Sequence, residues 1–161
     1  SWLAHAIVDG LTPAHHHPYE QSLEEIWGHS KDERTTLIKK WFPPAETVRE
    51  LVKKSWQIWG PGGLISLHGV FEFGIATILA PLGMKEAIPK KSELEMIKEI
   101  GIEEWFIRSA REIAVLDMYS RFQKRGWSTK LIYDVRHKLG PTIVKTITLS
   151  WYLAAEEARS S

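Results

Sequence analysis

The sequence predicts an all-α fold, a single-domain helical bundle of seven to eight helices over residues 1–161. Apolar residues recur three and four apart rather than in alternation, Gly and Pro fall at the ends of those runs, and no stretch carries a convincing hairpin signal. A hydrophobic share of 43% in 161 residues suffices for one full core and is too little for two comfortable ones.

The opening helix carries His5 and Asp9 and is expected to end at Gly10 and Pro13, in a histidine-rich loop holding His15, His16 and His17. Residues 20–27 read as a short helix closed by Gly28. Ser30 and Glu33 read as a capping box opening a segment that runs to Phe42 and is broken by Pro43 and Pro44. Pro44 suits the first position of the next helix, on which Val48, Leu51, Val52, Ser55, Trp56 and Trp59 form one apolar stripe. Residues 60–63, Gly-Pro-Gly-Gly, then make a sharp turn.

Residues 64–82 contain no Lys or Arg, long enough to raise a transmembrane reading. His68 and Glu72 inside the run, its two glycines and Pro81 favour a buried core helix instead, and no transmembrane segment is expected. A polar linker, 84–91, leads to a second capping box, Ser92 to Glu95, whose helix stops near Gly101. Residues 103–125 form the longest periodic run, with Trp105, Ile107, Ala110, Ile113, Ala114, Leu116 and Phe122 on its apolar face and Gly126 at its end. Ser128 caps a helix to Leu139, and Gly140-Pro141 turns the chain into a last helix over 142–158. His137 reads as a dipole-favoured cation near a helix end, and Asp117 as an exposed or ion-paired acid that is also a candidate extra ligand.

Composition excludes some chemistry. A net charge of +1 gives no general attraction to nucleic acid, so any polyanion would be held locally or through a metal. Without cysteine there is no disulfide and no thiolate site; a zinc here must take nitrogen and oxygen ligands. His5 with Asp9 and His68 with Glu72 are each four apart, so each helix presents an imidazole and a carboxylate on one face. Set in apolar stretches, Asp9 and Glu72 are expected to be buried and to need partners, either a shared metal or their own histidines.

The series His5, Asp9, Pro13 and His15, followed by His68 and Glu72, resembles the zinc-dependent phospholipase C and fungal single-strand nuclease superfamily. The resemblance covers about seven positions in residues 5–72. It implies an all-helical phosphodiester hydrolase in which His5 ligates one zinc of a close pair, Asp9 bridges the pair as the catalytic carboxylate, and His15, His68 and Glu72 hold a third zinc. It also implies a phospholipid head group or a nucleic acid as substrate. The superfamily's remaining ligands lie upstream, and only four residues precede His5. The chain is then the carboxyl-terminal part of a longer hydrolase, or His16, His17, His29 or Asp32 stand in for the upstream ligands. The alternative is a non-catalytic helical domain that keeps part of the zinc site. The sequence leaves compartment and oligomeric state open.

Eight tryptophans in this length ask for a role. Trp56, Trp59, Trp105 and Trp151 sit at stripe positions and read as core. Trp27, Trp41 and Trp127 fall beside Gly or Pro at helix ends, where contacts with lipid or stacked bases are the alternative. Lys39-Lys40 and Lys53-Lys54 read as solvated faces.

Overall fold

The computed structural model describes residues 2–28, 30–80 and 83–160 and is all-α, with no strand among them. The helices are α1 (Trp2–Leu11), α2 (Tyr19–Trp27), α3 (Leu37–Trp41), α4 (Val48–Trp59), α5 (Leu64–Leu79), α6 (Lys91–Ala114), α7 (Met118–Arg125), α8 (Thr129–Asp134) and α9 (Gly140–Ser160). Six of these described helices, α1, α2, α4, α5, α6 and α9, reach nine residues or more, fewer than the seven to eight read from the sequence. The difference lies in α3, α7 and α8, of five, eight and six residues, and α8 does not stand alone. Gly140-Pro141 is not a turn: α8 passes through a π turn, Val135–Leu139, directly into α9, and Gly140 N–H donates to the Val135 carbonyl five residues back. The wide turn accommodates Pro141, which lacks an N–H and crowds the preceding turn of a regular helix. His137 therefore lies within continuous helix, and the helix-end reading of it is corrected.

The chain divides into two compact units, Ser1–His16 with Ile75–Ser161, and His17–Gly74. In the first, α6 packs along α9, and α1 packs on both. Leu11, Ile97, Met118, Leu131, Val135, Leu139 and Leu149 are fully buried there. Close approach is built into the backbone: a Cβ at Gly140 would stand 2.5 Å from Leu79 Cδ2, and one at Gly10 would stand 2.5 Å from Phe106 Cζ. The expected run over 103–125 is broken. Gly101 (φ 76°) interrupts α6, as its sequence position suggested, but the helix also ends at Ala114, and Asp117, exposed and left-handed at φ 45°, leads into α7. Arg121 Nη1 holds that break by donating to the Leu116 carbonyl at 3.1 Å and to Asp134 Oδ2 at 2.8 Å.

The second unit has a small core in which Leu23, Trp27 and Ile58 are buried and Ile26, Leu64 and Ile65 pack against them. Gly28 closes α2 by donating its N–H to the Glu24 carbonyl at 2.7 Å. Arg34 is buried across the Trp27 ring, 5.4 Å from its centroid, and paired with Glu20 at 2.7 Å. Helix starts here differ from the sequence reading. The 30–33 box is a 3-10 turn, Lys31–Glu33, and Thr36 Oγ1 accepts from Lys39 N at 3.2 Å to cap α3. Likewise α4 begins not at Pro44 but at Val48, where Thr47 Oγ1 accepts from Glu50 N at 3.2 Å. The second expected box is also displaced: Glu93 Oε2 accepts from Lys90 N at 2.7 Å, two residues ahead of the Ser92 start.

The largest correction concerns apolar faces. The α4 stripe expected in the core faces solvent: Val48 is 79% exposed, Val52 60% and Trp56 66%. In α5, expected to be a buried core helix, Phe71 and Ile75 are inside while Val70 and Phe73 are exposed. The stretch Val48–Leu79 passes as long and apolar enough to cross a membrane by length and composition, and 17% of its most apolar part is buried. The Gly60–Gly63 turn divides it, however, and α5 alone has 16 residues, about 24 Å of helix against the roughly 30 Å of a bilayer core. Pro81 and Leu82, at the end of the apolar run, lie outside the described residues.

Candidate metal centre

In α1, Ile7 and Leu11 are buried and seat the helix, which turns His5 and Asp9 to the opposite, outer face. His5 Nε2 lies 3.2 Å from Asp9 Oδ2, with the side chains 70% and 42% exposed. After Leu11, Thr12 Oγ1 donates to the Val8 carbonyl at 2.7 Å, and the chain enters a 3-10 turn, Pro13–His16, anchored by buried Ala14. His15 and His16 are exposed on that turn. His16 Nε2 lies 2.7 Å from the Gly10 carbonyl; it must be the protonated donor there, so only its Nδ1 remains for a metal.

In α5, His68 Nε2 lies 3.0 Å from Glu72 Oε1, with the side chains 25% and 42% exposed. Neither Asp9 nor Glu72 is buried, which corrects the expectation drawn from the apolar stretches around them. Each sits on the less covered side of its helix and shares its charge with solvent and with its own histidine. The structure thus brings together the two members of each pair. His5, Asp9 and His15 belong to the first unit, His68 and Glu72 to the second.

The donor sets are of the kind zinc takes, one imidazole nitrogen and one carboxylate oxygen from successive turns. Two ligands about 2.1 Å from a tetrahedral ion stand roughly 3.4 Å apart, so separations of 3.0 and 3.2 Å need little adjustment to share a cation. Among the stand-ins for upstream ligands, Asp32 is exposed in the 3-10 turn before α3, His17 is half-buried at the start of the second unit, and His29 lies outside the described residues. Asp117 is exposed.

The tryptophans depart from the core reading at two stripe positions. Trp27, for which a surface contact was the alternative, is 1% exposed, while Trp56 and Trp151, read as core, are 66% and 61% exposed. Trp41 stacks on Trp59 at 5.2 Å, Trp127 tilts against Phe122 at 5.2 Å, and Trp105 Nε1 donates to buried Thr146 Oγ1 at 3.2 Å.

Sequence reasoning missed a cleft of about 450 Å³ in the first unit, lined by Glu93, Trp105, Ser109, His137, Lys145 and Thr146. Lys145 Nζ and Glu93 Oε1 meet there at 2.8 Å across 52 residues of sequence, too far apart for any local pattern to pair them. Burial pushes the Glu93 carboxyl up, but bonds from Lys145 Nζ and Lys90 N outweigh it and hold the group below the ordinary carboxylate range. A groove of about 670 Å³ in the second unit, between Arg34 and Trp27 on one side and Phe42, Pro43 and Val48 on the other, had no sequence signal either. Against models of protein families, curated proteins and solved structures, the chain has no match.

Proposed function

We propose that the chain is a zinc-dependent helical domain of the phosphodiester hydrolase type, with the pair His68 and Glu72 binding zinc and His5 with Asp9 forming a second, catalytic pair. The observation that supports this is the repeated pairing of an imidazole nitrogen with a carboxylate oxygen at 3.0 and 3.2 Å on separate helices, both open to solvent. Zinc, where bound, supplies a Lewis acid for phosphoryl oxygens and lowers the pKa of water. The protein's own contribution is to hold the ligands. In each pair one carboxylate oxygen meets the histidine, and the exposure of Asp9 leaves room for its other oxygen to orient a water or a substrate hydroxyl. Phospholipid head groups and nucleic acid strands share the phosphodiester this chemistry attacks.

A second reading, a non-catalytic zinc-binding domain, is favoured by one contact. The Gly10 carbonyl engages His16 Nε2, which withdraws that nitrogen of a stand-in ligand from metal binding. One experiment separates the two. The chain is dialysed to constant zinc content, analysed for metal, and assayed with added zinc against a chromogenic phosphodiester, phosphatidylcholine and single-stranded DNA. Retention of about one zinc per chain, falling below about 0.2 in His68→Ala, together with turnover lost in Asp9→Asn, is the expected result. Zinc without turnover selects the second reading. Less than about 0.2 zinc in the unaltered chain sinks both.

A further inference from the structure

The exposed face of α4 is unusual in what surrounds it. Val48, Val52, Trp56 and Trp59 fall on one side of the helix, and Ile58, about a quarter turn away, is buried in the small core, with half-buried Leu51 on the same side as Ile58. Trp59 Nε1 donates to the Trp41 carbonyl at 3.2 Å and the two indoles stack, so Trp41 and Phe42, 56% and 59% exposed, extend the same apolar patch. Beside it stand Lys39, Lys40, Arg49 and Lys53, all exposed and none in an ion pair among the described residues. Between residues 37 and 59 the acids are Glu46 and Glu50, and Glu50 is taken by Lys54 at 2.9 Å. An apolar face rich in Trp and Val, flanked by unpaired cations, matches the layered chemistry of a membrane surface, with hydrocarbon below and anionic head groups at the rim.

We propose that this face, centred on Val52 and Trp56, docks the second unit on an anionic lipid surface, with α4 lying in the plane of the interface. The contact is peripheral: α4 has 12 residues, about 18 Å, too short to span, and its opposite side carries Glu50, Lys54 and Gln57. Tryptophan suits the boundary because its ring is apolar and its N–H polar. The four free cations supply the preference for anionic head groups, and salt should weaken it. The proposal does not rest on the zinc reading, because neither metal pair belongs to the patch.

The test uses the full chain with chelator present throughout. Binding to vesicles of phosphatidylcholine, alone or with about one third phosphatidylserine, is followed by co-sedimentation and by the shift of tryptophan emission. The expected result is binding to the mixed vesicles at least about tenfold tighter than to phosphatidylcholine alone, and largely lost at about 0.5 M salt. Val52→Asp with Trp56→Asp should weaken it at least about tenfold, and so should Arg49→Glu with Lys53→Glu, whose sites are solvated and should leave the circular dichroism unchanged. The proposal is overturned if neither vesicle binds, if both double variants bind like the unaltered chain, or if binding appears only when zinc replaces the chelator. It is equally overturned if sedimentation equilibrium finds a dimer that Val52→Asp with Trp56→Asp dissociates, since a second copy then covers the face.

Discussion

In the first unit Leu131, Val135 and Leu149 are wholly inside, whereas in the second Val48, Val52 and Trp56, set on a helix just as periodic, are more than half exposed. The same residue types at the same spacing have opposite fates. Periodicity locates an apolar face on a helix, but it does not say that the chain supplies anything to cover that face. In the first unit it does, through α1, α6 and α9. In the second the cover available from α2 reaches only the Ile58 side of α4. Polar organisation follows the same division. Asp134, 4% exposed, is held by Arg121 at 2.8 Å and Lys138 at 3.1 Å, while the second unit's comparable pair, Arg34 with Glu20, lies at the edge of a three-residue core.

If the second unit depends on so few residues, one truncation there should have the largest effect. Trp27→Ala removes a fully buried ring and the surface beneath Arg34, and should cost about 3–5 kcal/mol in urea denaturation. A loss under about 1 kcal/mol would show that this small core is not what holds the unit.

Next in size is the buried acid of the first unit. Asp134→Ala should cost about 2–3 kcal/mol, less than for a wholly buried pair because Arg121 and Lys138 reach solvent. Burial pushes the Asp134 carboxyl up, yet hydrogen bonds from Arg121 and Lys138 prevail and hold it below its ordinary value. The unfolded chain therefore binds the proton first as pH falls. The stabilisation is complete above about pH 4, the unfolded value, and is lost on acidification through the lower folded value. Stability measured against pH should fall less steeply there in Asp134→Asn than in the unaltered chain. Equal slopes would rule out Asp134 as a source of acid sensitivity.

The smallest effect should come from the uncovered face. Trp56→Gln should change folding stability by less than about 0.5 kcal/mol, since the ring is 66% exposed. A loss of about 2 kcal/mol in the same urea assay would mean that the ring is covered in solution, and the contrast between the units would disappear.

Much of the fold was legible because local chemistry fixes it. Gly28 and Gly126 end their helices where expected, and Ser128 Oγ caps α8 by accepting from Leu131 N at 3.2 Å. Both His–carboxylate pairs were legible for the same reason, since a spacing of four inside a helix guarantees proximity. What failed depended on non-local structure. The burial of Asp9 and Glu72 was misjudged because an apolar stretch does not say which side of its helix is covered. The 3-10 turn at residues 31–33 and the Thr47 cap displaced helix starts that two prolines and a Ser-to-Glu spacing had suggested. Glu93 and Lys145 could be paired only by the packing of α6 on α9.

The π turn at 135–139 also sets a tolerance to change in chain length. It holds one residue more than a regular turn and so fixes the rotational phase of everything after it. Deleting a single residue there would let the segment close into an ordinary α-helical turn and leave α9 in nearly its present phase relative to α8, because the widened turn already absorbs the extra residue. Thr146, Leu149 and Ser150 would stay inside, whereas a one-residue deletion in the regular part of α9 ahead of them would turn them by about 100° and carry Val144, Thr148 or Trp151 toward the core. A one-residue gap in this stretch should therefore do less harm than one within the regular turns of α9, and the exposed 44–46 segment should absorb insertions with little effect.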